Sequence, residues 1–251
     1  MKHIIIGSGV IGRATGELLE AHNHSVTYHD INQKTIKKLK EAGKQTTLII
    51  SEPYDIYWIC TAEWHIENAL KKVNVKGAHV VIRSTITPDT INNLQNEYPS
   101  FRFAHVPEFL REKTAIQDIF NTERIIIGTT NLQIQDKLEY IFKDINSPKI
   151  ICKPEESSLI KLTANNWLAM QISFWNEMKI LFSKYNVNPQ LISNAVTLDS
   201  RISNYGSNML GKPFQGFCFP KDTETLGKLF NKHDLNSQLI KSTITVNKVI
   251  E

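Results

Sequence analysis

Cysteine is scarce in this 251-residue chain: Cys60, Cys152 and Cys218 are the three present, far apart from one another. Such spacing excludes a disulfide framework and a cysteine-based zinc pattern, and it points to the cytoplasm. Long apolar runs are missing as well. None approaches the roughly 20 residues that cross a bilayer, and the apolar run in MKHIIIGSG ends too soon for a signal peptide. No membrane partner is expected. Charge of one sign is also thin, with a net charge of +4 and the basic residues scattered. The densest cluster, KTIKKLK (Lys34–Lys40), has the spacing of a solvated helix face, so no nucleic-acid partner is expected. His22 and His24, two apart near a helix end, read as surface residues, and no metal site is expected. Repeats and low-complexity segments are absent. A hydrophobic content of 41% and a charged content of 22% belong to an ordinary globular protein, long enough for one large core or two modest ones.

The first half alternates two periodicities. KHIIIG and SVTYHD read as strands, and VIGRATGELLEAH and NQKTIKKLKEAG as helices, the latter ended by Gly43. Further strands are expected near TTLII, DIYWIC, HVVIRS, FRFAHV, RIIIG and KIIC. The helices among them lie around WHIENALKKV, DTINNLQNEY and NLQIQDKLEYIFKDI. This alternation predicts an α/β fold: a Rossmann-type, doubly wound, mostly parallel sheet with helices on both faces. Pro154 opens a different regime, a long helical pattern to about Tyr185, a shorter helix near NPQLISNAVTL and another from near Ser237. An all-helical domain over 154–251 is therefore expected to follow a sheet domain over 1–153.

Gly7-Ser8-Gly9-Val10-Ile11-Gly12 follows the first strand and opens the first helix, the context that gives G-x-G-x-x-G its meaning. The first glycine permits a tight turn and the second lets a pyrophosphate approach the backbone. The third lets helix and strand pack closely, and the helix N-terminus offers positive potential to the phosphates. Asp30 closes the second strand, 18 residues beyond Gly12. A carboxylate there accepts from both ribose hydroxyls and repels a 2′-phosphate, which favours NAD over NADP.

Other polar residues read in two ways. Lys161 and Asn165 are four apart on the long helix and share a face with Leu168, Ile172 and Asn176. They are either an exposed pair or the polar part of a buried site, since an unpaired ammonium is costly to bury. Glu108 and Glu112 are either solvated or catalytic. Ser84 and Thr85 end a predicted strand, where open parallel sheets bind ligands, or else they cap a helix. Cys218, in GFCFPKDTETL, is either a small hydrophobe in a loop or a nucleophile.

Together the segments IIIGSGVIG, STITPDT, PEFLREKTAIQDI, RIIIG, ESSLIKLTANNWLAMQISFWNEM, DSRIS and GFCFPKDTETL resemble, in order and across nearly the whole chain, the UDP-glucose/GDP-mannose 6-dehydrogenase family. The likeness is greatest to compact bacterial UDP-glucose 6-dehydrogenases. The resemblance implies NAD-dependent, four-electron oxidation of a nucleotide sugar's C6 alcohol, UDP-glucose being the expected substrate. Cys218 is implied as the nucleophile that forms a thiohemiacetal and then a thioester, with Lys221 or Lys161 lowering its pKa. Lys161 and Asn165 are implied to bind the reacting oxygen. Asp222 is implied to help Lys161 and a water move protons, and Thr85 and Glu108 to position that water or the substrate. Gly7, Gly9, Val10, Ile11, Gly12, Asp30, Thr61, Thr85 and Glu112 are the implied cofactor contacts. Phe109, Leu110 and Gly216 join Glu108, Lys161 and Asn165 as implied substrate contacts, and Arg201 is implied to reach a neighbouring subunit's substrate. Cys60 and Cys152 end apolar strands and read as structural.

Three departures from the family pattern replace glycines: Lys113, Ser203 and Gln215, the last before Gly216. Each is expected to restrict the substrate loop. The family also continues into a third, nucleotide-binding domain, whereas this sequence stops at Glu251. A homodimer through the helical domain, or a separate chain supplying that third domain, is expected to complete the substrate site. Two alternatives stay open. One is a two-electron β-hydroxyacid-type dehydrogenase, which shares the Lys-x-x-x-Asn pair and needs no cysteine, and the other is a non-catalytic NAD-binding protein.

Overall fold

A computed structural model describes residues 1–250, which divide into two compact units, Met1–Lys161 and the described residues from Leu162 onward. The helix α7 (Pro154–Lys184) runs through the division, so its first two turns belong with the first unit.

In the first unit eight strands form one sheet in the order β3-β2-β1-β4-β5-β6-β7-β8. They are β1 (Lys2–Ile6), β2 (Ser25–His29), β3 (Thr46–Thr47), β4 (Ile56–Ile59), β5 (His79–Ile82), β6 (Arg102–His105), β7 (Ile125–Gly128) and β8 (Lys149–Cys152). All neighbours are parallel except β6 and β7, which meet antiparallel at His105 and Gly128. The strand expected over TTLII is shorter than its pattern, because Leu48 and Ile49 turn outward and are exposed. Successive side chains on a strand point to opposite faces, and each face carries its own core. Ile5, Tyr28, Trp58, Val81 and Ala104 pack with α1 (Val10–Ala21), α5 (Ala115–Phe120) and α6 (Leu132–Ile141). Their neighbours Ile4, Ile6, Tyr57, Ile59, Val80 and Ile82 pack with α3 (Ile66–Leu70) and α4 (Thr90–Glu97). The remaining helix, α2 (Gln33–Glu41), is capped by Asn32, whose side chain accepts from Lys34 N–H. Strand order reverses between β1 and β4, and β1 leads into the glycine loop.

The second unit holds the rest of α7 with α8 (Pro189–Val196), α9 (Cys218–Lys232) and α10 (Gln238–Ile250). Its apolar core is small: Ala169, Ile172 and Phe214, with Tyr205, Met209 and Phe219 against them. Buried amides do much of the joining. Asn176 donates to Lys212 O (2.8 Å) and accepts from Gly211 N–H (2.6 Å). Asn247 accepts from Phe214 N–H (2.7 Å) and donates to Phe214 O (3.1 Å). These two amides fix the segment that leads to Gly216 and Cys218. Gly216 has a φ of +80°, in the left-handed region that favours glycine.

Candidate active site

The loops that leave β1, β2, β4, β5 and β6 bring Gly7, Asp30, Thr61, Thr85 and Glu108 to one edge of the sheet, at the strands' C-terminal ends. Ligands bind at this edge in open parallel sheets, beside the reversal of strand order. Gly7 turns with a φ of +93°. A Cβ on Gly12 would collide with Gly7 O, while one on Gly9 would meet nothing within 4 Å. The first position is thus closed by packing, and the second leaves space over the start of α1. Gly9 caps α1 without a side chain, Val10 is exposed and Ile11 half-buried, so the first-turn N–H groups stay available to an anion. Asp30 steadies the loop: its Oδ2 accepts from Ser8 N–H and its Oδ1 from Asn32 N–H, each at 2.8 Å. A carboxylate has about four acceptor sites, so capacity remains for ribose hydroxyls. These residues fit a dinucleotide.

Deeper in the first unit, Lys161 and Glu108 meet. Lys161 Nζ donates to Glu108 Oε1 at 3.2 Å, with the side chains only 4% and 9% exposed. Glu108 Oε2 accepts from Leu110 N–H at 2.7 Å, and Lys161 Nζ lies 5.2 Å from the centre of the Phe109 ring. Lys161 and Asn165 are therefore not an exposed pair: both are buried. Glu112 differs from Glu108, being exposed in a short 3-10 turn, Glu112–Thr114. Ser84 and Thr85 do not cap a helix, since Asp89 takes that position for α4. Ser84 instead donates its hydroxyl to Thr61 O, joining two loops of this edge.

Two further residues here carry little local sequence signal. Arg83 is buried and donates from Nη1 to Val106 O at 3.1 Å, and its Nε has no hydrogen-bond partner among the described residues. Burial holds its pKa below the ordinary value, opposed by Cys60 and Glu108. His105 is buried between Ser84 O and Ser157 Oγ. A lone polar side chain at the end of the apolar run FRFAHV was the only available hint.

In the second unit, Asp222 is fully buried on α9 and holds two donors. Asn165 Nδ2 donates to its Oδ2 at 2.6 Å, and Lys221 Nζ to its Oδ1 at 2.5 Å. Cys218 is the first residue of α9, four positions before Asp222, and is exposed. The GFCFPKDTETL stretch is thus the start of a helix rather than a loop. Its first turn tolerates Pro220, where no intrahelical N–H bond is lost. The helix N-terminus places positive potential at the sulfur's end of α9. Burial pushes the Cys60 thiol up to about 12, and burial also raises Cys152. Arg201 is exposed and paired with Asp199, Nη2 to Oδ2 at 2.6 Å. Lys113, Ser203 and Gln215 all have negative φ, so a glycine's freedom is not needed at these departures.

Among the described residues no cluster of histidine, cysteine and carboxylate side chains could hold a metal ion, and no helix is long and apolar enough to cross a membrane.

Residues 46–146 match the model of the UDP-glucose/GDP-mannose dehydrogenase family's NAD binding domain, and residues 155–249 that of its central domain. A UDP-glucose 6-dehydrogenase of Rickettsia typhi is 30% identical, over 99% of this chain and 67% of that protein. Among solved structures, a UDP-glucose dehydrogenase from Pyrobaculum islandicum aligns with a TM-score of 0.87 at 27% identity, over 99% of this chain and 68% of that one. A 3-hydroxyisobutyrate dehydrogenase from Mycobacterium tuberculosis aligns with a TM-score of 0.82 at 14% identity, covering 98% and 92%, which is a likeness of fold alone. The chain spans between 60% and 67% of the length of the first curated relatives it matches. With both domain models in sequence order, and the glycine loop and the residues around Lys161 and Cys218 disposed as described, the chain belongs to the UDP-glucose/GDP-mannose dehydrogenase family, and its first domain is that family's NAD-binding domain.

Proposed function

We propose that the protein oxidises the C6 alcohol of a nucleotide sugar, UDP-glucose, to the uronic acid in two NAD-dependent steps. The observation that carries this reading is the exposed Cys218 at the start of α9, one turn before a buried Asp222 held by Asn165 and Lys221. NAD bound at the glycine loop supplies the hydride acceptor for each step.

The residues of the chain do the rest. In the first step the C6 hydroxyl gives its proton to a water as hydride leaves the carbon for the bound cofactor. Lys161 and Asn165, one turn apart on α7, donate to the oxygen as negative charge develops. Glu108 holds the Lys161 ammonium in place at 3.2 Å. Cys218 Sγ then adds to the aldehyde carbon, its proton passing to the aldehyde oxygen, to give a thiohemiacetal. Loss of the second hydride, with the hydroxyl proton passing to water, leaves a thioester. A water that gives one proton to Asp222 adds to it, the C–S bond breaks, and the new acid's proton passes to the departing sulfur, leaving the carboxylate and the thiol. Thr85 and Glu108 position the water or the sugar, and Glu112, Thr61 and Asp30 contact the cofactor. Phe109, Leu110 and Gly216 line the sugar.

The protein acts as a homodimer through residues 154–251. Support comes from an open groove of about 460 Å³ in the second unit, lined by Trp167, Phe174, Leu239, Ile202 and Arg201. The first two of these are more than half exposed, and Leu239 is 70% exposed.

A two-electron oxidation of a β-hydroxyacid is the competing reading, since the Lys-x-x-x-Asn spacing of Lys161 and Asn165 suits it and it needs no cysteine. Incubating the protein with NAD and a panel of sugar nucleotides and hydroxyacids decides between them. Two reduced cofactors per sugar consumed support the proposal, and one per hydroxyacid overturns it.

A further inference from the structure

His105 closes β6 and is fully buried, and its ring touches two other elements. Nε2 lies 3.1 Å from Ser84 O, in the loop after β5 that carries Thr85. A carbonyl only accepts, so Nε2 carries a hydrogen and donates it. Nδ1 lies 2.7 Å from Ser157 Oγ, in the first turn of α7 and one turn before Lys161. Ser84 passes the chain on by donating its hydroxyl to Thr61 O, after β4. Four connected groups therefore run from the ends of β4, β5 and β6 to the start of α7. The helix comes this close because β7 ends in Gly128, where a Cβ would collide with Ser157 Oγ.

Counting hydrogens fixes the direction of the chain. Ser84 has one, given to Thr61 O. A neutral imidazole has one, given by Nε2 to Ser84 O. Nδ1 is then an acceptor, and the single hydrogen of Ser157 must point to it, although Pro154 O lies 2.8 Å from the same hydroxyl. Only an imidazolium would release Ser157 to Pro154. Burial opposes that state, and so do two cations that act on the ring, Arg83 just after β5 and Lys161 on α7; against the Ser84 hydrogen bond they hold the pKa of His105 down at about 3.

We propose that His105 is a positioning residue. As the neutral Nε2–H tautomer it ties the loops bearing Thr61 and Thr85, on the cofactor side, to the helical turn that presents Lys161. The inference rests on the cofactor and Lys161 roles proposed above. Its use would be to keep the cofactor loops and the ammonium in one register, where a shift of about 1 Å is enough to cost a large factor in rate.

Two measurements test it. Histidine-labelled protein in 15N NMR should show one ring, absent in His105→Gln, that is neutral with hydrogen on Nε2 at pH 7 and stays neutral below pH 5. An imidazolium or an Nδ1–H ring at pH 7 would overturn the proposal. NAD titration calorimetry should then show His105→Phe and Ser157→Ala each weakening binding by about three- to tenfold, the size of one hydrogen bond. The double variant should lose no more than His105→Phe alone, because the two act as one chain. His105→Gln, which keeps a donor toward Ser84, should recover part of the loss. Equal NAD affinity in all variants, or losses that add, would overturn the positioning role alone. No NAD binding by the unaltered protein would overturn the cofactor reading beneath it. Should His105→Phe not fold, Ser157→Ala, which removes one hydroxyl, carries the comparison.

Discussion

Replacing Glu108 by glutamine should damage the protein more than replacing Lys161 by methionine. The two side chains form a pair at 3.2 Å with almost no exposure to water. At an effective dielectric constant of about 20, such a pair attracts by roughly 5 kcal/mol. Breaking a buried pair by removing one partner costs about 3–5 kcal/mol, because the other charge is left uncompensated. The structure makes the two removals unequal. Glu108→Gln leaves the Lys161 ammonium buried in the same unit as the Arg83 guanidinium, which itself feels Glu108 as a favourable charge. Lys161→Met leaves the Glu108 carboxylate with Arg83 and with Leu110 N–H. Glu108→Gln should thus lose about 3–5 kcal/mol, a fall of roughly 6–20 °C in unfolding midpoint. Lys161→Met should lose less, and the double variant less than the sum of the two. Urea unfolding of the four proteins, followed by intrinsic fluorescence, gives the cycle. Equal single losses that add within about 0.5 kcal/mol would refute the reasoning.

Three further outcomes follow from other parts of the chain. His3 and His105 are held at about 3, and His79 at about 4, in each case mainly by burial, against an ordinary 6.5. Folded, these rings bind fewer protons than the unfolded chain does. Their contribution is complete above pH 6.5 and is lost as pH falls toward 3–4, by at most roughly 3 kcal/mol per pH unit from His3 and His105 together. Denaturation at pH 8, 6, 5 and 4 should trace that decline, and a stability that rises on acidification would contradict it. Asp30→Ala should weaken NAD ten- to hundredfold, the value of charge-assisted hydrogen bonds, while leaving NADP little changed. Calorimetric titration with both cofactors reads this, and an unchanged ratio would refute it. Light scattering at micromolar concentration should give about twice the 28.7 kDa of one chain, and a monomer would refute the dimer.

Much of the sheet domain was legible because each strand carries both of its faces in sequence. Ile4, Ile5 and Ile6 alternate between two cores, and the run of three is what burial on both sides requires. The glycine loop was legible because its residues are contiguous and their constraint is local. The helix α9 was not. Its N-cap, Phe217, makes no side-chain capping hydrogen bond, and it has Pro220 in its first turn and Gly227 inside it, all features that resemble a loop. The partners of Asp222 were equally hidden, since Asn165 lies 57 residues away in the chain and no local pattern joins them. His105 with Ser157 is the same kind of contact, 52 residues apart. Glu108 and Glu112 had the same spacing as Lys161 and Asn165, yet only the latter pair is helical. Spacing selects a face only where there is a helix.

The central claim is that Cys218 carries the acyl group between the two oxidations. The direct measurement is peptide mass spectrometry of protein quenched in acid during turnover with NAD and UDP-glucose. The account predicts a thioester of the sugar on Cys218 and on neither Cys60 nor Cys152, absent from Cys218→Ser, which should also fail to make uronic acid while still binding NAD. A serine variant that forms uronic acid at the unaltered rate, with no adduct on Cys218 in the parent protein, would contradict it.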